Sequence, residues 1–227
     1  MTRMSLDALL VPDSVASAAA LDVATAYQSP ALLNHSLRAY VWAAARGAAG
    51  GIPFDPELLY VAALFHDIGL VPAFDSHTVA FEEAGGHVAQ VFAAGAGWPA
   101  ERRERLSDVI VRHMWPRVEV STDPEGHLLA HATATEINGT DADDYPAGFR
   151  AEVLDRYPRL DLTDQFLACI QAQAARKPGS SAAAAVRSGL VSRMTSNPLD
   201  SPAWSSESGM LFMIVAGPDH SGASPSP

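Results

Sequence analysis

An apolar run over residues 58–65 ends at an adjacent histidine and aspartate, His66 and Asp67. Apart from one tyrosine the run has no polar face, which predicts a helix that is buried on nearly all sides. An N-cap aspartate, a first-turn proline and a first-turn glutamate at 55–57 predict its start, and Gly69 predicts its end. Because a buried carboxylate and imidazole need a compensating partner, this pattern indicates a metal cation beside the pair.

Helical periodicity continues on both sides of this run, and no segment reads as a sheet. Proline and glycine residues interrupt the pattern and set the predicted ends of the helices. The other helices are predicted at residues 14–27, from 30 or 34 to 49, and at 81–95, 100–115, 125–138, 149–156 and 162–177. The predicted fold class is therefore all-α, a helical bundle with a buried metal site.

Composition divides the chain into three parts. Residues 1–30 are predicted to be an N-terminal helical arm, and residues 31–178 to be a single helical domain. Residues 179–227 are rich in Ser, Ala, Gly and Pro, which predicts a weakly ordered C-terminal tail. Within this tail, the apolar run 210–215 is a candidate docking segment.

Charge and cysteine content narrow the function classes. The chain carries 26 acidic and 15 basic residues, a net charge of −11, and its densest basic stretch is the short run 102–105. We therefore expect a small-molecule substrate and no nucleic-acid partner. A single cysteine, Cys169, excludes an internal disulfide and any multi-cysteine zinc site. No apolar stretch is long enough for a membrane span or a secretion signal, so we expect no membrane partner and a cytoplasmic protein, with homo-oligomerisation left open.

Six ionisable residues are predicted to face the core, and all but one adjacent pair lie on separate helices. They are His35, His66, Asp67, His87, His113 and Glu136. A single core histidine is usually a packing residue, but six such groups in an apolar, acidic chain are hard to bury without a cation. Imidazole and carboxylate ligands suit zinc, iron or manganese. The sequence therefore predicts a divalent-metal site, with zinc as the first choice.

Three other features compete for a functional role. His127 and His131 stand at i and i+4, as in a zinc-protease helix, but they lack the glutamate between them, so surface histidines are expected. Cys169 lies in an apolar helix and is expected to pack in the core. Arg38 and Trp42 lie one and two turns after a predicted ligand, where they either line a pocket or serve as an ion-pair partner and a core aromatic.

The motifs of this chain resemble the HD-domain superfamily of metal-dependent helical enzymes over roughly residues 30–178. The phrases that look like its cyanamide hydratase branch stand at residues 34–38, 62–69, 81–82 and 176–178. The resemblance implies that His35, His66 and Asp67 are metal ligands. It places Glu136 at a fourth ligand position, which is usually Asp in the family, and Glu reaches one methylene further.

Two further histidines leave the number of ions open. Some superfamily members use two extra histidines after the His-Asp pair to hold a second ion that the Asp bridges. His87 and His113 follow Asp67 at spacings that permit such an arrangement. One or two divalent ions are therefore expected.

The function that the resemblance implies is metal-assisted addition of water to cyanamide or another small nitrile, giving urea or an amide. His113 or Asp67 would position the water or carry its proton. Asn34, Arg38 and Trp42 are the candidate substrate-binding residues.

Two other functions compete with this one. Phosphoester hydrolysis by the same metal site would need positive groups, and Arg38 and Lys177 are the only basic residues that can be placed near it. The chain also has no glycine-rich phosphate loop. A catalytically idle, metal-stabilised scaffold is the third possibility, since the replacement at Glu136 allows it.

Overall fold

The regular secondary structure of the described part of the chain is all helical. The computed structural model describes Leu6, Leu9 and residues 12–200, and within these residues there are ten α-helices and no strand. The helices are α1 (Val15–Tyr27), α2 (Pro30–Gly50), α3 (Pro56–Phe65), α4 (Phe81–Gly95), α5 (Ala100–Arg112), α6 (Pro124–Asn138), α7 (Ala147–Arg156), α8 (Leu162–Arg176), α9 (Ser181–Arg187) and α10 (Leu190–Thr195). The predicted all-α fold is confirmed. Over the same residues, no helix combines the length and apolar character needed to cross a membrane.

Helix α3 lies at the centre of the bundle. Every residue from Leu58 to Phe65 is buried, as the apolar run predicts. Asp55 caps the helix by accepting a hydrogen bond from the backbone N–H of Leu58 at 3.0 Å, with Pro56 in the first turn. The helix packs against α1, α2, α4, α5 and α6, so its C-terminal end is enclosed by several elements. A side chain placed at that end can therefore meet groups from neighbouring helices.

A glycine allows α4 to approach the end of α3. After Asp67, residues Ile68–Leu70 form a single 3₁₀ turn, and a Cβ atom on Gly69 would collide with the backbone carbonyl of Phe81 at the start of α4. Any larger residue would push α4 away from the turn. The sequence predicts Gly69 as a helix stop, and in the structure it also permits this close packing.

Residues 179–200 are more structured than their composition predicts. Helices α9 and α10 pack against α8 and α6, and Ala182 and Met194 are fully buried. The expectation of a weakly ordered tail from residue 179 is therefore corrected for residues 179–200, because apolar residues in that stretch cover the end of the bundle. The candidate docking segment 210–215 lies outside the described residues.

Asp123 holds the start of α6. Its carboxylate accepts hydrogen bonds from the backbone N–H of Gly126 at 2.7 Å and from the guanidinium groups of Arg105 and Arg112. Burial alone would raise the pKa of Asp123, but the hydrogen bonds from these three groups lower it. The folded-state pKa therefore lies below the ordinary aspartate value of 3.8. The stability that this carboxylate contributes is full above that value and is lost as the pH falls through the folded-state pKa.

We expect Asp123→Asn to lower the free energy of unfolding by about 1–3 kcal/mol at pH 7, because the cap and two charged hydrogen bonds are weakened. Urea unfolding at pH 7 and pH 3 would measure this difference, which should narrow at pH 3. Asp22→Asn, on the exposed face of α1, is the control and should change stability by less than about 0.5 kcal/mol. An equal loss at both pH values would contradict the charge-based role of Asp123.

Candidate metal centre

Three buried side chains bring their donor atoms together at the end of α3. Nε2 of His35 lies 3.1 Å from Nε2 of His66 and 3.2 Å from Oδ2 of Asp67, and the last two atoms are 3.1 Å apart. Helix α2 supplies His35, and the end of α3 with the turn that follows it supplies the adjacent pair. Within residues 12–200 with Leu6 and Leu9, this is the one group of three or more histidine, cysteine or carboxylate side chains arranged to hold a metal ion.

The adjacent pair converges because the helix ends at this point. His66 keeps helical dihedral angles (φ −58°, ψ −34°), whereas Asp67 leaves the helix with φ −107° and ψ 7°. In a continuing helix the two side chains would point about 100° apart. The helix was expected to run to Gly69, and its earlier end lets both side chains face the same point.

Hydrogen bonds on the far side of each imidazole fix which nitrogen faces the centre. Nδ1 of His66 donates to the backbone carbonyl of Ala63 at 2.8 Å, and Nδ1 of His35 donates to Oε2 of Glu136 at 3.2 Å. A ring that donates from Nδ1 carries its lone pair on Nε2 when it is neutral. Both Nε2 atoms are therefore oriented as ligands, in the way that partners behind a metal-bound histidine usually orient it.

The charges around the three donors favour a cation. Burial alone would raise the pKa of Asp67, but the charge of His66 and the hydrogen bond and charge of His35 lower it. Burial opposes protonation of His35, yet the hydrogen bonds and negative charges of Asp67 and Glu136 outweigh it and raise the pKa of His35. The negative charges of Asp67 and Glu136 therefore favour a positive charge between the donors, and a divalent cation would supply it. Two imidazole nitrogens and one carboxylate oxygen suit zinc, iron or manganese, and three protein ligands leave a position for substrate or water.

Glu136 lies behind His35 and not among the three converging donors. Besides the bond from His35, its carboxylate accepts hydrogen bonds from Nη2 of Arg38 and Nε1 of Trp42, both at 2.7 Å. Burial alone would raise the pKa of Glu136, but the charge of Arg38, the hydrogen bond from His35 and the charge of Arg159 hold it well below its usual range. The expectation that Glu136 is the fourth ligand is corrected, since its oxygens are committed to these partners.

Two partners of Glu136 were not found from the sequence. Nη1 of Arg159 donates to the backbone carbonyl of Glu136 at 2.9 Å, and Nδ2 of Asn197 donates to the same oxygen at 2.8 Å. Both residues lie in connections after α7 and α10. No helical periodicity marks such positions, so only the folded chain reveals them.

His113 stands next to the three donors at the end of α5. Its Nε2 lies 3.8 Å from Oδ1 of Asp67, and its Nδ1 donates to the backbone carbonyl of Ile110. Burial and the charge of His66 lower the pKa of His113 to about 4. The ring is therefore a neutral imidazole at pH 7, with a lone pair on Nε2 that can accept a proton.

His87 lies outside the centre. It is exposed on α4, and so is Val91, whose side chain is 76% exposed one turn later. The buried face of α4 includes two close-packed glycines, since a Cβ on Gly85 would lie 3.0 Å from the Phe65 carbonyl and one on Gly86 would lie 2.6 Å from Oγ of Ser107. The expectation that His87 binds a second ion is corrected, because close packing through glycine turns the imidazole towards solvent.

Residues 32–134 match the family model described as HD domain. The match runs from α2 into α6 and includes the three converging donors and His113, but it stops before Glu136. It supports the HD superfamily, whose members are generally metal-dependent hydrolases, and it does not distinguish branches within it. A comparison with curated proteins found no matching sequence.

The three predicted substrate-binding residues do not line the cavity that lies beside the three donors. Nδ2 of Asn34 donates to the backbone carbonyl of Pro158 at 2.8 Å, while Arg38 and Trp42 are fully buried around Glu136. The expectation that these residues bind substrate is therefore corrected. Asn34 holds the loop after α7, and Arg38 and Trp42 hold the Glu136 carboxylate behind His35. Lys177 also bonds to protein groups, since its Nζ donates to the backbone carbonyls of Ser76 and Val79, each at 2.8 Å.

A cavity of about 520 Å³ opens from the candidate metal centre. Asp67 and His113 lie in its wall together with the other two donors. The segment Met114–Val120 after α5 forms a second part of the wall, and residues of α6, α8, α9 and α10 complete it among the described residues. Any substrate that reaches the metal centre through this cavity contacts side chains that the sequence pattern assigned to the core or to a loop.

The competing features of the sequence also have defined places in the structure. His127 and His131 are half-buried in the cavity wall, where Nδ1 of His127 donates to the Val118 carbonyl and Nε2 of His131 donates to Asp141, each at 2.9 Å. They are therefore not free surface histidines as expected. Cys169 is half-buried, and burial raises the pKa of its thiol, which fits packing better than nucleophilic chemistry.

Proposed function

We propose that this protein is a metal-dependent enzyme that adds water to a neutral, polarised carbon centre, such as a nitrile or an amide. The observation that carries the proposal is geometric: Nε2 of His113 lies 3.8 Å from Oδ1 of Asp67, beside three converging donors in the wall of a cavity. His35, His66 and Asp67 would hold one divalent ion, with zinc as the first candidate. When bound, the ion supplies Lewis acidity, which makes water a competent nucleophile near pH 7.

Residues around the ion would transfer the proton and hold the ligands in position. Nε2 of His113 accepts a proton from the attacking water and can return it to the nitrogen of the substrate. The Ile110 carbonyl holds the opposite nitrogen protonated, so the acceptor lone pair stays on the cavity side. Glu136 fixes the orientation of His35 through Nδ1.

The charges of the cavity favour a neutral substrate over a phosphate ester. Arg38 and Lys177, the two basic residues that phosphoester hydrolysis would use, are bonded to protein groups away from the cavity. Arg117 is the one Lys or Arg in the described cavity wall, and its side chain is 81% exposed and paired with Glu119 at 2.6 Å. Transfer of an anionic phosphoryl group usually relies on fixed positive groups, which this wall lacks.

The experiment is elemental analysis of the purified protein, followed by assays with cyanamide, simple nitriles and amides, and a panel of phosphate esters. We expect about one divalent ion per chain, and turnover of the neutral substrates to urea, amide or acid. Full metal content with turnover of phosphate esters alone would contradict the proposal in favour of phosphoester hydrolysis. Full metal content with no turnover would favour a scaffold.

His113→Ala should separate a proton acceptor from a metal ligand. We expect kcat to fall by about 10²–10⁴-fold, because general acid–base catalysis is lost, while metal content stays close to one ion per chain. His77→Ala, at an exposed histidine, is the matched control and should change neither quantity. Loss of the ion in the His113 variant would instead identify His113 as a ligand.

A further inference from the structure

The cavity is far larger than the smallest substrates of the proposed reaction. Its volume is about 520 Å³, within the range that encloses a drug-sized ligand. Cyanamide has three heavy atoms and would fill roughly 60 Å³, about two water volumes. Most of the cavity would then be left to water, which gains little from apolar walls.

The walls beyond the metal centre are mainly apolar. The side chains that form them come from the end of α5 and from α6, α8 and α10, and they include Met114, Ala134, Ile137, Phe166, Ile170 and Leu190. Ile137, Phe166, Ile170 and Leu190 are buried and belong to one apolar cluster. An apolar group placed here would be removed from water on several sides, which is favourable in proportion to its area.

Charge in the wall argues against an ionic extension. The exposed Arg117 is paired with Glu119 at 2.6 Å, and no other Lys or Arg lies in the described part of the wall. His131 is half-buried, and burial lowers its pKa, which disfavours a positive charge on this ring. A ligand charge in this space would lose water without gaining a partner.

We infer that the natural substrate is a neutral molecule that joins a nitrile- or amide-type group to an apolar body of about five or more carbons. The reactive group lies at Asp67 and His113, and the apolar body lies between α6 and α8. The inference rests on the proposed function for the reactive group and on the cavity alone for the apolar body.

Trp115 provides a test that needs no turnover. It lies in the cavity wall and is 52% exposed, so its fluorescence should report ligands that enter. The probes are linear amides from acetamide to hexanamide, titrated into the metal-loaded full-length protein. We expect the dissociation constant to fall by up to about fourfold per methylene, and by about a hundredfold across the series. Trp115→Phe should remove the signal.

A cavity-filling variant locates the site. Ala134→Leu should weaken hexanamide binding at least tenfold and leave acetamide within about twofold, because the added carbons occupy the space for the chain. Ala172→Leu, on the exposed face of α8, is the matched control and should behave as wild type. Circular dichroism and thermal unfolding would verify that both variants fold.

The outcomes separate this inference from the proposed function. Equal affinity for acetamide and hexanamide, or an Ala134→Leu variant that keeps the chain-length dependence, would overturn the apolar-substrate inference. Chain-length-dependent binding in a protein that hydrates or hydrolyses none of the corresponding nitriles and amides would support the apolar cavity and overturn the proposed reaction.

Discussion

Replacing His66 or Asp67 by alanine should remove the bound metal and abolish activity. Each residue supplies one of three donors that lie 3.1–3.2 Å apart, so a single truncation leaves only two protein ligands. Changes to groups behind the ligands typically cost 10–100-fold in metal affinity or activity, and the loss of a ligand itself should exceed about 100-fold. Elemental analysis and steady-state assays on the purified variants would measure both effects.

His87→Ala is the matched control for these variants. His87 is a histidine of the same domain whose side chain is exposed on α4, away from the three donors. Its removal should leave the metal content and kcat/KM within about twofold of wild type. Metal content that is unchanged in the His66 and Asp67 variants, or lost in the His87 variant, would refute the assigned centre.

Replacing Glu136 by alanine should cause the largest loss of stability. Glu136 is fully buried and neutralises Arg38 at 2.7 Å, with Arg159 at 3.4 Å from the same oxygen. Removing one partner of a buried ion pair leaves an uncompensated charge and costs about 3–5 kcal/mol. Urea unfolding followed by circular dichroism would measure the loss. Asp108→Ala breaks an exposed ion pair with Arg112 and should cost less than about 1 kcal/mol.

Two further variants identify why Glu136 matters. In the double variant Arg38→Met/Glu136→Met both charges are absent, so it should lose less stability than the sum of the single variants. Glu136→Gln retains an oxygen for Nδ1 of His35 but loses the charge, so metal affinity should fall by about 10–100-fold without loss of the site. Additive costs in the double-mutant cycle would contradict the buried pair. Complete loss of metal in Glu136→Gln would make Glu136 a direct ligand.

The helical pattern predicted much of this architecture. The spacing of apolar residues predicted the all-α fold, and the apolar run before His66 predicted that α3 is buried on all sides. Such predictions succeed because burial of a helix face depends mainly on the local order of apolar and polar residues. The same pattern correctly predicted that Glu136 and His113 are buried.

Residues 179–200 show the limit of composition as a guide. A Ser- and Ala-rich segment with little intrinsic apolar character was expected to lack order, yet α9 and α10 complete the bundle with Ala182 and Met194. Small side chains stabilise such helices only when a neighbouring surface is already shaped to receive them. That surface is formed by α8, which directly precedes α9, and by α6, which is distant in sequence.

The sequence by itself determined that the chain is helical and that an adjacent His-Asp pair ends a buried helix. The tertiary structure decided which of the inward residues meet. A helix face specifies that Glu136 points inward, but the packing of α2 against α6 decides that it binds Nδ1 of His35 and leaves Nε2 for the centre. Glycine-mediated packing of α4 likewise turned His87 outward. The direction in which a side chain points within a core depends on contacts between helices, and no local sequence pattern encodes those contacts.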